Sequence, residues 1–268
     1  MPRLKSLKLQ SKKIKNRMEK PKIVSIVGLT ASGKSGLGIK LAREFNGEII
    51  SCDSRQVYTG LDIGSAKVTA EEQAMVKHWL IDVADPKEMK GKGEQFNVYD
   101  FQKMAYDAVE DILSRGKVPF LVGGSGLYSR AVVEGYVFGE NKTEEKKPRY
   151  DVLQICLMPT REYIRGPIEQ RIGQRLAVGL IEETEGLLKK GVSKEFLQSL
   201  GLEYYWNVEY IEGRIGLDEY KKNLAIKTMQ FAKRQRTWFK KEKDTVYLDE
   251  PTKFLESSRK LVKGFLKS

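Results

Sequence analysis

The stretch Ile23-Val-Ser-Ile-Val-Gly-Leu-Thr-Ala-Ser-Gly-Lys-Ser-Gly-Leu37 decides the fold. Residues 23–27 form an apolar, β-branched run that predicts a buried parallel strand. Gly28, four further residues, then Gly33-Lys34-Ser35 give the G-x-x-x-x-G-K-S spacing, and a helix-like stretch continues to Phe45. Glycines let such a loop turn tightly with its N–H groups pointing inward, and the helix N-terminus adds positive potential. Lys34 neutralises outer phosphate charge, and the Ser35 hydroxyl suits Mg²⁺. A strand-to-helix turn that merely uses glycines has no need of the Lys-Ser pair. Which phosphorylated molecule is held stays open at this point.

Composition narrows the class. The 268 residues, 40% hydrophobic and 31% charged, suit one α/β domain with an appendage. No apolar stretch approaches the roughly 20 residues of a membrane span, and no signal sequence opens the chain, so a cytoplasmic protein without a membrane partner is expected. Cys52 and Cys156 lie far apart and His78 is the only histidine, which argues against a disulfide framework or a Cys/His zinc site. The net charge of +12 is uneven: residues 1–22 hold nine Lys or Arg and one acid, Glu19. That segment reads as a basic, flexible arm, for which a solvated tail, a handle for nucleic acid and an organellar targeting segment are the open readings.

Beyond the cradle, residues 48–52 predict a second buried strand ending at Asp53-Ser54-Arg55-Gln56. Carboxyl ends of parallel strands face the ligand crevice, so Asp53 is expected beside the phosphate loop, as a general base, a Mg²⁺ ligand or a helix cap. A third strand is expected over 78–83, with His78 as a structural histidine and Asp82 as second candidate for metal. Helical periodicity runs from 97 to 115, Gly116 serving as cap, and 118–122 is a fourth strand ending in Gly123-Gly124-Ser125. Those glycines allow close approach to a ligand, and Ser125 opens the next helix with its hydroxyl and N–H available to an anion.

Residues 139–150 read as a charged linker or loop, 152–157 as a strand, and 159–190 as a helical region in which Arg171 and Arg175 share one face. Helices are expected over 197–211 and 217–241. On the second, Leu224, Met229, Phe231 and Trp238 mark an apolar side against Lys222, Lys233, Arg236 and Lys240. An edge strand at 245–248 and a basic amphipathic helix over 250–268 complete the chain, and 23–249 reads as the core.

Several segments together, Gly28-Leu-Thr-Ala-Ser-Gly-Lys-Ser35, Asp53-Ser-Arg-Gln-Val-Tyr58, Leu61-Asp-Ile-Gly-Ser-Ala-Lys67, His78 with Leu80-Ile-Asp82, Tyr99-Asp-Phe101, Val122-Gly-Gly-Ser-Gly-Leu-Tyr128, Ile168-Glu-Gln-Arg171 and Ala232-Lys-Arg-Gln-Arg-Thr-Trp-Phe239, resemble the tRNA dimethylallyltransferase family. The resemblance implies a P-loop NTPase-like parallel sheet with helices on both faces and a helical C-terminal part. It implies transfer of a dimethylallyl group from dimethylallyl diphosphate to N6 of adenosine 37 in the anticodon stem-loop of tRNA, by a monomer using Mg²⁺ at Ser35. Asp53 matches the family's base, and Lys34, Ser125 and Arg171 the groups that stabilise the leaving diphosphate. Gly28, Leu29, Thr30, Ala31, Ser32, Gly33, Lys34 and Ser35 match its diphosphate cradle. Asp53, Ser54, Arg55 and Gln56 match a segment touching the flipped adenosine. Lys233, Arg234, Gln235, Arg236 and Trp238 match a basic helix facing tRNA.

The departures from that pattern are specific. Between the Gly135 region and the strand near Val152 the family carries a helical insertion that grips the anticodon stem, and this chain has the short linker instead. Pro167 and Met229 stand where arginines are usual, Leu29 where proline is, and Ser125 where threonine is. A clampless core also suits an adenylate isopentenyltransferase acting on free nucleotide. A P-loop kinase of a small molecule and a non-catalytic RNA-binding protein are the readings from other classes.

Overall fold

The computed structural model describes residues 20–89, 96–138 and 146–268; most of the basic arm and residues 139–145 of the charged linker lie outside the described residues. The strand predicted ahead of the cradle is β1 (Lys22–Gly28), flanked on both sides by parallel neighbours. With β2 (Gly47–Ser51), β3 (His78–Trp79), β4 (Val118–Val122), β5 (Asp151–Leu157) and β6 (Thr245–Leu248) it makes a parallel sheet in the order β3-β2-β4-β1-β5-β6.

Parallel strands need covering on both faces, and the two-residue alternation of side chains supplies two apolar layers. Val24, Ile26, Ile49, Phe120 and Val122 point to one face, where α1 (Lys34–Glu44) packs. The last helix, α10 (Phe254–Lys267), packs there too, burying Val262 in the same layer. Ile23, Ile50 and Leu121 point to the other face, beneath α3 (Val98–Ser114) and α4 (Gly126–Val133). The short α2 (Ala70–Met75) opens with a Thr69–Glu72 capping box.

A third apolar layer gathers beyond the carboxyl ends of the strands. It is built from α5 (Arg161–Ala177), α6 (Leu180–Lys189), α7 (Lys194–Ser199), α8 (Leu202–Ile211) and α9 (Leu217–Phe239). Among the described residues no helix is long and apolar enough to cross a membrane.

Three expected elements come out differently. The strand over 78–83 is reduced to His78–Trp79, because Leu80 and Asp82 take left-handed φ of 61° and 56°. The backbone of Asp82 and Val83 then bonds Gln56 and Val57 in the loop after β2. The region 159–190 breaks at Gly179 (φ 101°), and the helix over 197–211 breaks at Gly201 and Leu202 (φ 68° and 44°). On α9 the fully buried stripe is Tyr220, Leu224, Thr228, Ala232, Gln235 and Phe239, so Phe231 and Trp238 turn away from the core.

Candidate active site

The cradle is held from both sides. Gly28 has φ 142°, and a Cβ there would lie 2.2 Å from the Leu157 carbonyl oxygen, so the loop leaves the sheet only through a glycine. Leu29, where the resembling family has proline, is fully buried and its N–H bonds Leu157 O at 3.1 Å. On the other side Gln235 reaches down from α9, accepting from Thr30 N at 2.7 Å and donating to Gly124 O at 3.0 Å. One buried amide thereby ties the phosphate loop to the loop after β4.

The Lys34 ammonium donates to Leu29 O at 2.7 Å. Burial lowers its pKa to about 8, against the opposing pull of Asp53. An ammonium short of solvation in this way gains a partner when a polyanion enters. Arg171 donates to Thr30 Oγ1 at 2.9 Å, and its pKa is lowered to about 10, by burial first and then by Arg175. Lys34, Ser35, Asp53, Ser54, Arg55, Gln56, Ser125, Arg171 and Arg175 line one cavity of about 410 Å³. Four cations and a single lining carboxylate make it a receptor for a compact anion.

Asp53 Oδ1 accepts from Arg55 N at 2.9 Å, an Asx-type turn. Its Oδ2 has no hydrogen bond among the described residues, so the cap and a chemical role coexist on one side chain. Ser125 sits at the start of α4 without capping it; its hydroxyl instead accepts from Ser54 N at 3.0 Å and donates to Ser54 Oγ at 3.3 Å. The glycines before it line the same cavity and are also required by the protein's own packing. A Cβ on Gly123 would lie 2.1 Å from Cys52 O, and one on Gly124 2.7 Å from the Gln235 amide.

Ser54, Arg55 and Phe231 also line a neighbouring cavity of about 600 Å³. Its walls carry Tyr58, Phe96, Tyr128, Tyr205 and Trp206, with Lys227 and Arg234 at hand. Aromatic faces beside cations suit a nucleobase with its phosphate.

The residues expected to face RNA divide. Arg234 lines this aromatic cavity, while Lys233 and Arg236 line a separate groove between α5 and α9. Arg236 also donates to Pro159 O. Gln235 is turned inward, and Trp238 stands over Gly126, 37% exposed. Gln56 is likewise turned in, accepting from Ser51 Oγ at 2.8 Å and donating to Ala66 O at 3.0 Å. Arg171 and Arg175 share a face as expected but not a duty, since Arg175 donates to Glu203 Oε1 at 2.6 Å.

Asp82 pairs with Lys67 Nζ at 2.5 Å and does not line the cradle's cavity. Burial lowers the pKa of His78, whose Nδ1 lies 2.7 Å from Val76 O. Two carboxylates that patterning did not single out hold the loop after β2. Glu203 Oε2 takes Arg55 Nη1 at 2.8 Å. Glu183 accepts the N–H groups of Asp62, Ile63 and Gly64 at 2.8, 2.6 and 3.0 Å. Both look like helix-start acids in the sequence, and only Gly179 and Gly201 just before those starts hint at a sharp delivery.

The IPP transferase family model matches residues 56–147 and 137–242. This chain belongs to the IPP transferase family, that of the tRNA dimethylallyltransferases. The two stretches of the match meet at the charged linker. An isopentenyl transferase model matches residues 21–87, which hold the cradle and Asp53.

Curated members of the IPP transferase family align over most of the chain. The tRNA dimethylallyltransferase of Caldicellulosiruptor saccharolyticus is 34% identical over 297 residues, covering 87% of this chain and 93% of its own. That of Streptococcus uberis is 36% identical over 280 residues, 85% of this chain and 90% of its own. The crystal structure of the tRNA isopentenylpyrophosphate transferase of Bacillus halodurans superposes with a TM-score of 0.82 at 30% identity, covering 92% of this chain and 97% of that one. A eukaryotic dimethylallyltransferase acting on tRNA, at 20% identity and a TM-score of 0.78 over 92% of this chain and 80% of that one, shares the fold.

Proposed function

We propose that this IPP transferase moves a dimethylallyl group from dimethylallyl diphosphate to N6 of adenosine 37 in tRNA and releases diphosphate. The observation that carries the reading is the meeting of the anion cavity and the aromatic cavity at Ser54, Arg55 and Phe231, with Asp53 in the wall of the first. A donor held by its diphosphate and an acceptor held by its base would then meet at a carboxylate.

In this reading the cradle N–H groups, Lys34 and Arg171 hold the diphosphate. The N6 lone pair of adenine is delocalised into the ring, so the amine is a weak nucleophile. As N6 bonds the allylic carbon, the C–O bond to diphosphate breaks and Asp53 accepts the N6 proton through its unbonded oxygen. Negative charge grows on the leaving oxygen, where Lys34, Arg171 and the loop amides stabilise it. Ser125 fixes the Ser54 backbone beside Asp53, and Lys233, Arg234 and Trp238 are assigned to the RNA backbone and its bases.

The donor set also fits Mg²⁺. Ser35 in the first turn of α1 offers one hydroxyl, no trio of His, Cys, Asp or Glu among the described residues forms a cage, and Mg²⁺ is commonly held by one or two protein oxygens plus substrate phosphates. When bound there it would neutralise diphosphate charge.

The test is label transfer from radioactive dimethylallyl diphosphate to an unmodified anticodon stem-loop bearing adenosine 37, with AMP in parallel. Label is expected in the RNA, falling about 10²- to 10⁴-fold in Asp53→Asn. Label in AMP alone would make the chain a nucleotide prenyltransferase, and label in neither would end the reading.

A further inference from the structure

The cavity around the cradle carries three guanidiniums besides the loop's own Lys34, yet of these only Arg171 is bonded to the phosphate loop. The reason lies behind the cavity wall, in Glu203. This side chain is 2% exposed and lines neither cavity. Its Oε1 accepts from Arg175 Nη1 at 2.6 Å and its Oε2 from Arg55 Nη1 at 2.8 Å, so each oxygen is spent on a different arginine. The left-handed pair Gly201 and Leu202 turns the chain just before α8 and delivers Glu203 into the helix's first turn, where the dipole favours a carboxylate.

We propose that Glu203 is a positioning residue for prenyl transfer: from behind the pocket it discharges Arg175 and aims Arg55 along the acceptor side, leaving Arg171 as the guanidinium that meets the diphosphate. The inference rests on the reading of the previous section. Three guanidiniums clustered without a counter-charge would all turn to an entering diphosphate. It would then be held too tightly to leave, and Arg55 would be lost from the acceptor cavity. Burial raises the pKa of Glu203, but Arg55, Arg175 and Arg171 outweigh it and hold the group at about 2, so it stays ionised throughout the working range. Arg55 is the link between the two sites, because it lines both cavities and its backbone N–H bonds Asp53 Oδ1.

The sign of one measurement separates this role from simple structural support. Removing a buried negative charge next to an anion site strengthens anion binding, whereas a merely loosened pocket weakens it. In the full chain, Glu203→Gln is expected to bind inorganic pyrophosphate about tenfold more tightly by calorimetry, the effect of one charge at close range in a partly polar medium. Its kcat is expected to fall and its KM for the RNA stem-loop to rise. Glu203→Asp keeps the charge but shortens the reach; it should bind pyrophosphate like the wild type while the KM for RNA still rises. Pyrophosphate binding that is unchanged or weaker in a folded Glu203→Gln overturns the proposal. If Glu203→Gln does not fold, equal losses of pyrophosphate and RNA affinity in Glu203→Asp overturn it as well. Because pyrophosphate binding requires no turnover, a wild type that fails to prenylate RNA would defeat the prenyl-transfer reading while the binding comparison still decides the arrangement of charges.

Discussion

Replacing Lys34 by Met should make the empty protein more stable while destroying its activity. The Lys34 ammonium is buried against the cradle with one hydrogen bond, to Leu29 O at 2.7 Å. Burial lowers its pKa from 10.5 to about 8. Relative to a side chain of similar shape that does not titrate, a lysine so shifted disfavours the folded state by about 3 kcal/mol at pH 7. Lys34 keeps some contact with solvent at the cavity and loses a hydrogen bond on substitution, which reduces the net gain of Lys34→Met to about 1–2 kcal/mol. For a chain of this length that corresponds to a rise in Tm of about 2–6 °C.

The pH dependence has a definite sign. Between about 8 and 10.5 the unfolded chain keeps its Lys34 proton while the folded one has lost it. The wild type is therefore stabilised as pH rises through that window, and the gap to the variant should shrink to under about 1 kcal/mol near pH 10. Thermal melts of both proteins at pH 7 and pH 10, with label transfer on the same samples, provide the assay. Transfer should fall about 10²- to 10³-fold with the cation gone. A variant that melts below the wild type at pH 7, or a gap that does not narrow with pH, would refute the argument that the ammonium is held in strain for the diphosphate.

Gln235→Ala removes both bonds that tie Thr30 N and Gly124 O together, leaving two backbone groups unpaired. A loss of about 2–3 kcal/mol in stability is expected in melts, along with weaker pyrophosphate binding. Glu48 is 2% exposed and accepts from Arg115 at 2.5 and 2.7 Å, Lys117 at 2.8 Å and Trp79 at 2.8 Å. The Arg115 hydrogen bonds first, opposed by burial and helped by Lys117 and Trp79, hold its pKa well below the usual carboxylate range. That stabilisation is present above pH 4.5 and lost as pH falls below it, so Glu48→Gln should lower stability by about 1–3 kcal/mol at pH 7 and progressively less in acid. Denaturant titrations at pH 7 and pH 3 measure both.

How much of this was legible beforehand varies by element. The strands at β1, β2, β4, β5 and β6 carry short, mainly apolar runs and follow from the local pattern alone, whereas β3 does not. The run from His78 to Val83 is apolar enough for a strand, but its backbone is recruited by Gln56 and Val57 and turns left-handed at two places. On α9 the apolar residues Phe231 and Trp238 read as core, yet Phe231 lines both cavities and Trp238 is exposed over Gly126, while the polar Gln235, matched to a helix facing RNA, is buried. Periodicity reports average polarity, and at a ligand site the polarity is inverted on purpose.

The sequence by itself determined the cradle, the order of strands and helices, and the place of Asp53 at a strand's carboxyl end, because spacing and local backbone preference are properties of neighbouring residues. Only the tertiary structure decided how the charges are shared. Arg55 meets Glu203 across 148 positions and Thr30 meets Gln235 across 205, and no local pattern distinguishes those partners from the other acids and amides of the chain. Whether an arginine is discharged from behind or left for a substrate depends on which distant carboxylate folding buries beside it, since burial removes the water that would otherwise screen every charge alike.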